Sequence, residues 1–307
     1  MKSVAVLILT HNEALHIRRS IESVSTFASE VFLIDSGSTD RTVEIAESLG
    51  ATVLKHPWTN YAQQFQWGLD HAPITADWVM RLDADEVIEA DLAAEIGSRL
   101  LTLPTGVSGV NLKRKHVFMG RWIKHGGRYP LTLLRIWRSG KARIEQRWMD
   151  EHMLLTEGST VTFDGGFADV NLNDLTFFTD KHNKYASREA IDVLNQKYDL
   201  FPRDEALDAK SASAAASGKR WLKEGLYNRL PFWVGPLGYF LYRYIIQLGF
   251  LDGREGLIYH GLQGGWYRFL VAAKIVEWDR ELSKLENAAD QLAMLERLTG
   301  YRLAPAS

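Results

Sequence analysis

Residues Trp78–Glu86 read WVMRLDADE. The first five residues have the length and apolar character of a short buried strand. The next four, Asp83-Ala84-Asp85-Glu86, carry three carboxylates. Two carboxylates two positions apart, directly after a buried strand, can turn toward one ligand. Hard oxygen donors of this kind suit Mg²⁺ or Mn²⁺, which usually share their coordination with a phosphate. The same four residues also serve as a solvated loop that caps the following helix, Asp91 to Leu101. An Asp-x-Asp spacing is common, so the pair alone leaves both readings open.

Toward the amino terminus the chain alternates short apolar runs with helical patterns. Val4–Leu9 is a strand, and Ala14 to Val24 a helix. Val31–Ile34 is a second strand, ended by Asp35-Ser36-Gly37-Ser38, and Thr39 or Asp40 can cap a helix to Leu49. Ala51–Leu54 is a third strand and Tyr61 to His71 a helix. This alternation implies βαβ units and a parallel sheet covered on both faces. Ligands of such sheets sit at the carboxyl ends of the strands, near a switch in strand order. The clusters Thr10-His11-Asn12-Glu13, Asp35 to Asp40 and Asp83 to Glu86 would therefore converge on one edge. Gly37 permits a tight turn, and the hydroxyls of Ser36 and Ser38 with nearby N–H groups can meet polar ligand edges. Asp35 can accept from a base N–H or a ribose hydroxyl. An ordinary βα turn with a helix cap explains the same residues, and Thr10, Asn12 and Glu13 are equally ambiguous.

Beyond Leu101 the pattern changes. Val107–Leu112, Leu131–Trp137 and Met153–Phe163 read as strands. Phe167 to Leu200 reads as mostly helical, Asp204 to Gly218 is rich in Ala and Ser, and Ala272 to Leu298 forms one amphipathic helix. The expected division is 1–200, a linker at 201–218, and a helical, aromatic-rich region at 219–307. Within the last, Leu230 to Leu251 carries Arg243 as its one charge. It is long enough to span a bilayer, but Pro231, Gly235, Pro236 and Gly238 oppose one continuous helix. Trp233, Tyr239, Tyr242, Tyr244, Trp266 and Tyr267 suit a water–lipid interface, and Arg229, Arg243, Arg254 and Arg268 suit lipid phosphates. The expectation is a monotopic surface on the inner leaflet. A core helix or a homo-oligomer interface is the alternative.

Composition narrows the classes. Of 307 residues, 46% are hydrophobic and 24% charged, an ordinary globular balance. The absence of cysteine removes disulfides, thiolate metal sites and cysteine nucleophiles. A net charge of -2 argues against a general nucleic-acid binder. The apolar run Val4–Leu9 is too short for a signal-peptide core, so synthesis without export from the cytoplasm is expected.

Taken in order, LILTHNEA, LIDSGSTDRT and WVMRLDADE resemble the nucleotide-sugar region of family 2 inverting glycosyltransferases, above all bacterial enzymes of lipopolysaccharide-core and exopolysaccharide assembly. The resemblance covers roughly residues 1–200. It implies an α/β, GT-A (Rossmann-like) nucleotide-diphospho-sugar transferase fold, here with a C-terminal helical extension, and a UDP-sugar donor with Mg²⁺ or Mn²⁺. By position, Thr10, Asn12, Glu13 and Asp35 would face the nucleoside, Asp83 would lie near ribose and metal, and Asp85 would hold the metal on the diphosphate. In the segment Trp148-Met149-Asp150-Glu151-His152 it implies a general base, Glu151, with Asp150 as the alternative. The acceptor would be a hydroxyl of a lipid-linked saccharide or lipopolysaccharide core, and the product β-linked.

Between Asn111 and Arg147 stand eleven Lys and Arg residues, with Glu145 the one acid. Phe118, Trp122, Tyr129 and Trp137 are interleaved. This segment reads as a floor for a phosphorylated or acidic glycolipid acceptor, with Arg135 able to reach the donor's diphosphate, or as a solvated basic surface. Two other functions compete. A sugar-nucleotide nucleotidyltransferase needs a Gly-rich basic loop after the first strand, where this chain has Thr10-His11-Asn12-Glu13. A non-catalytic membrane-associated scaffold leaves the paired carboxylates unexplained.

Overall fold

Val4–Thr10 (β1) is apolar almost throughout because it is the middle of a sheet. It runs parallel to β2 (Ala28–Asp35) on one side and to β4 (Trp78–Arg81) on the other. Its alternate side chains enter two cores. Val6 and Ile8 pack with Ile17, Ile21, Leu33 and Phe167, whereas Ala5 and Leu7 pack with Ile34, Phe65, Val79 and Trp137. The computed structural model describes residues 4–145, 151–201 and 231–303. The chain divides into two compact units, Met1–Gln146 with Asp150–Leu172, and Arg147–Met149 with Asn173–Ser307.

In the first unit the sheet order is β3-β2-β1-β4-β8-β6-β11-β5, with β3 Thr52–Lys55, β5 Glu86–Ile88, β6 Val107–Phe118, β8 Leu131–Arg138 and β11 Ser159–Val170. The helices α1 (Ile17–Val24), α2 (Thr42–Ser48), α3 (Tyr61–His71) and α4 (Ala90–Arg99) connect its amino-terminal strands. The alternation implies a wholly parallel sheet; the sheet is mixed. Strands β1 to β4 are mutually parallel, but β8 is antiparallel to both β4 and β6. The cause is local. Met119 and Gly120 adopt φ of 50° and 79° after β6, so the chain reverses into β7 (Arg121–Ile123) without a crossover helix. At the other edge a Cβ on Gly165 would run into the Leu92 backbone, so β11 and α4 approach there as only glycine allows.

Three further expectations change. Met153–Phe163 is two strands, β10 (Met153–Leu155) and β11, with Gly158 at φ 80° between them. The first of these pairs with β9 (Ala142–Ile144) outside the main sheet. Phe167 lies inside β11, and the helix α5 begins only at Leu175 and runs to Tyr198. Asp174 sets that start, its side chain accepting from the Phe177 N–H at 2.9 Å. The terminal amphipathic pattern is two helices. They are separated at Asn287, which caps the second through the Asp290 N–H at 2.8 Å. The Ala/Ser-rich linker lies almost wholly outside the described residues, as does Arg229.

The second unit contains α5, then α6 (Val234–Leu241), α7 (Gly253–Tyr259), α8 (Tyr267–Leu282) and α9 (Ala288–Thr299). Ala190, Ile191 and Leu194 of α5 pack against Trp278 and Leu282 of α8. A π-helical stretch at Tyr242–Ile246 interrupts the apolar segment, and a second follows it at His260–Trp266. Among the described residues no helix is long and apolar enough to cross a membrane.

Candidate active site

The carboxyl ends of β1, β2 and β4 bring the three polar clusters together, as their positions after strands imply. Thr10 and Asp35 are register partners on β1 and β2. The buried Asp35 carboxylate organises its own loop. One oxygen accepts from the hydroxyls of Thr10 (3.1 Å) and Ser38, and the other from the N–H groups of Gly37 (3.0 Å) and Ser38 (2.9 Å). Gly37, at φ 90°, supplies the left-handed conformation this turn needs. Ser36 donates to the Thr10 carbonyl at 3.1 Å.

The loop after β1 is stitched to the loop after β2. Asn12, at φ 57°, accepts from the Thr39 N–H at 2.8 Å, while its own N–H donates to the Ser38 hydroxyl at 2.9 Å. The Glu13 N–H donates to the Thr42 hydroxyl at 2.7 Å. The N-cap position of α2 is Arg41, which makes no side-chain cap bond; of the two candidates Asp40, just before it, accepts from the Thr42 N–H at 2.9 Å. His16 is buried, and its Nε2 accepts from the Leu172 N–H at 3.0 Å. Its Nδ1 is therefore the protonated nitrogen that donates to Glu13 at 2.7 Å.

After β4 lies an ionic network. Asp83 accepts from the Tyr61 hydroxyl, sits 3.6 Å from Arg81 Nε and accepts from Arg135 at 3.3 Å. Arg135, only 3% exposed, also donates to Glu86 at 2.7 Å, and Glu86 accepts from the Asp83 N–H at 2.9 Å. Arg114 reaches Glu86 at 3.7 Å and Asp169 at 3.9 Å, and His116 meets Asp169 at 3.0 Å. Burial opposes the charge on Asp83, but Arg135, Arg81 and the Tyr61 hydroxyl outweigh it and hold the carboxyl well below the usual range. For Glu86 burial wins against Arg135 and, with the Asp83 charge beside it, pushes the carboxyl up to about 8.

Asp85 has different partners. Its carboxylate accepts from the Asn171 amide at 2.9 Å, and its carbonyl accepts from the Val170 N–H at 3.0 Å. Glu151 comes to the same edge, its carbonyl accepting from Arg81 at 3.1 Å. His152 lies 3.6 Å from the buried Glu145 rather than at the carboxylate pair. Asp150 lies outside the described residues.

Two of the expected ligand-binding residues already have protein partners. Arg135 is buried and its bonds run to Asp83 and Glu86, so it orders these carboxylates. Asp83 has two guanidinium groups on it, which compete with a metal ion for its oxygens. Among the described residues no three His, Asp or Glu side chains form a metal cluster. Asp85 with the neighbouring Asn171 amide presents hard oxygen donors of the type Mg²⁺ or Mn²⁺ takes when phosphates complete the set. Tyr61, Glu86, Asp169 and Asn171 carry no individual role in the sequence reading, and Arg114 stands there only among the basic residues of the acceptor floor. Glu86 alone had a local signal, being an acid three residues after Asp83.

The family model described as Glycosyl transferase family 2 matches residues 5–163. An uncharacterized glycosyltransferase of Rickettsia bellii is 44% identical over 95 residues, 31% of this chain and 32% of that protein. The chain thus spans about a third of the length of that relative. The lipopolysaccharide core biosynthesis glycosyltransferase LpsC of Rhizobium meliloti is 26% identical over 89% of this chain and 92% of its own length. A crystal structure of glucosyl-3-phosphoglycerate synthase from Mycobacterium tuberculosis, in complex with Mn²⁺, UDP and glucosyl-3-phosphoglycerate, matches at 23% identity. It covers 38% of this chain and 44% of that one, with a TM-score of 0.31.

The ionic network makes two predictions. Arg135→Met strands buried carboxylates and should cost about 3–5 kcal/mol in urea unfolding. Glu86 has a folded pKa raised above its ordinary 4.5, so its contribution is full below that value and is lost as pH rises toward 8. Melting temperature should fall across that window in the wild type and fall less in Glu86→Gln. The depressed Asp83 titrates below the window and leaves it undisturbed.

Proposed function

The chain belongs to glycosyl transferase family 2, with a GT-A-like fold and C-terminal helices, and on that premise we propose that it moves a sugar from a UDP-sugar to a hydroxyl of a lipid-linked saccharide or lipopolysaccharide-core acceptor, with inversion. The observation that carries this reading is the meeting of Thr10–Glu13, Asp35–Ser38, Asp83–Glu86 and Glu151 at one carboxyl edge of the sheet. The likeness to LpsC along nearly its whole length supports the acceptor class.

In this reading the knitted loops after β1 and β2 form the nucleoside wall. Asp35, Thr10 and Ser38 fix the shape of the turn, while Asn12, Glu13, Ser36 and Gly37 set its rim. Asp85 would hold a divalent cation together with the donor's diphosphate, and that ion supplies charge neutralisation for the leaving UDP. Asp83, kept ionised by Arg81 and Arg135, anchors the strand end from which Asp85 projects. Glu151 takes the proton of the acceptor hydroxyl as that oxygen bonds to the anomeric carbon. The carbon–oxygen bond to the diphosphate breaks on the opposite face. One displacement inverts an α-linked donor into a β-linked product. The loop after β1 carries an acid and no glycine, which disfavours the triphosphate grip of a nucleotidyltransferase.

The composition of the second unit supports contact with the inner leaflet. From Phe232 to Leu251 eleven large hydrophobic side chains are exposed, among them Trp233, Ile245 and Ile246, the last at 68%. No acid occurs from Gly225 to Leu251, and Arg254 lies just beyond. This is the composition of a surface that rests in a lipid interface.

Three measurements test these readings. UDP with Mn²⁺ should raise the melting temperature where GDP, CMP and dTDP do not. At a hundredfold excess over Kd the stabilisation is about 2.7 kcal/mol, and Asp85→Ala should abolish the Mn²⁺-dependent part. Glu151→Gln should keep UDP binding and lose about 10²–10⁴-fold in transfer; normal transfer in that variant would remove Glu151 as the base. Vesicles containing phosphatidylglycerol should sediment the wild type and release Ile245→Glu/Ile246→Glu, with equal sedimentation of both proteins counting against membrane contact.

A further inference from the structure

The basic residues of the segment 113–143 do not act alike once their partners are known. Arg114 and Arg135 face inward onto Glu86. Arg138 donates to the Val107 carbonyl at 2.9 Å and stacks on Trp78. Lys113 pairs with Asp164, and Lys141 with Glu157. A different arrangement surrounds Trp122. Lys115 Nζ lies 4.9 Å and Lys124 Nζ 5.4 Å from its ring centroid. Tyr129 meets the same ring edge-on at 4.9 Å.

The topology places this cluster. Strand β6 is antiparallel to β8, which is antiparallel to β4, so β6 and β4 point the same way. The carboxyl end of β6 therefore lies on the edge that holds Thr10, Asp35 and Asp83. Beyond Arg114, where its pairing with β8 ends, β6 continues to Phe118 and folds back as β7, with His116 opposite Ile123. His116 is also opposite Asp169 on β11, and the next residue, Val170, is bonded to Asp85. The β6–β7 hairpin thus extends past the sheet edge next to Asp85.

The local electrostatics are one-sided. No Asp or Glu occurs from Val107 to Ile144. Lys115 has Glu89 as a partner, whereas Lys124 is exposed and, among the described residues, has no carboxylate partner. The Trp122 indole N–H is buried without a hydrogen-bond partner, so packing and the two ammonium groups hold the ring. Lys115 is balanced by Glu89 and Lys124 by no carboxylate among the described residues, so an anion that comes to Lys124 beside this ring gains a charge-assisted hydrogen bond. Trp122 is half-buried, and an aromatic ring that is partly open to solvent can pack on the carbon skeleton of a sugar.

We propose that Trp122, Lys115 and Lys124 form an acceptor subsite for an anionic substituent, a phosphate or a carboxylate, on the saccharide that receives the sugar. The proposal rests on the transfer reading above and narrows its acceptor to charged saccharides. It separates this cluster from the donor diphosphate, which belongs to Asp85.

The test uses the full chain, with and without saturating UDP and Mn²⁺, titrated with glucose 6-phosphate, glucuronate and glucose by ligand-observed NMR. At least one anionic sugar should bind about tenfold more tightly than glucose, and which one does so distinguishes phosphate from carboxylate. Lys124→Gln should remove about fivefold or more of that preference. Trp122→Ala should weaken all three sugars, and Trp122→Phe, which keeps an aromatic ring, should restore them in part. UDP affinity should stay unchanged in Lys124→Gln. Equal binding of glucose and both anionic sugars, or no anionic binding up to tens of millimolar, overturns the proposal. A loss of UDP affinity in Lys124→Gln also overturns it, because the cluster would then grip the donor. Failure of UDP to bind the wild type is read before any sugar is added and counts against the donor site alone, since the titration without UDP still reports the anion preference.

Discussion

The contact on which the first unit turns is Arg135, held between Asp83 and Glu86. It reaches from β8 to the residues that follow β4, at 3.3 Å and 2.7 Å, in a place almost closed to water. The buried Glu86 and the half-buried Asp83, which share one guanidinium, cannot both be ionised without that cation. Arg135 supplies it, aided by Arg81 and Arg114, and the remaining imbalance falls on Glu86, whose carboxyl is pushed up. The antiparallel strand that breaks the parallel run of the sheet is also the strand that delivers this cation. Topology and site chemistry are one constraint here.

That constraint sorts three acids that look equivalent in the sequence. Asp83 is ionised and surrounded by guanidinium groups, Glu86 is buried and driven toward its neutral form, and Asp85 faces an amide. Environment assigns the roles, since the side chains themselves are nearly interchangeable. The loops after β1 and β2 show the same logic. Asp35 and Asn12 read as ligand contacts by position, yet their oxygens already accept from the N–H and hydroxyl groups of the turn. Their bonds preorganise the wall, so that little ordering remains to be done when a ligand arrives.

What was legible in the sequence follows from the range of the interactions concerned. Strands β1, β2 and β4 and the polar clusters after them are local patterns: an apolar run, then Thr10-His11-Asn12-Glu13, Asp35 to Asp40, or Asp83 to Glu86. One rule about the carboxyl ends of strands gathers them. Strand β5, three residues long, has no periodicity to read, and its pairing with Phe167–Asp169 is a contact across about eighty positions. Placing Phe167 in a helix has the same origin, because its partner strand is remote in sequence. Arg135 was visible as a basic residue, but its direction was not. An arginine on a strand can face ligand or core, and the deciding acids lie about fifty residues away.

The acceptor half was harder to read for a deeper reason. A nucleotide wall is built from loops that each follow a strand, so sequence order and spatial order nearly coincide. The basic segment lies on an antiparallel excursion, where neighbours in sequence point to opposite faces and toward different partners. Along β6, Lys113, Arg114 and Lys115 meet Asp164, Glu86 and Glu89 respectively, acids from two separate places in the chain. Counting charges along such a strand overstates any one surface, since alternate residues leave it. Only past the end of β8, where β6 turns back on itself, do Lys115 and Lys124 return to a common aromatic ring. Charge becomes a recognition surface there because the hairpin carries Lys124 away from the acids that neutralise its neighbours.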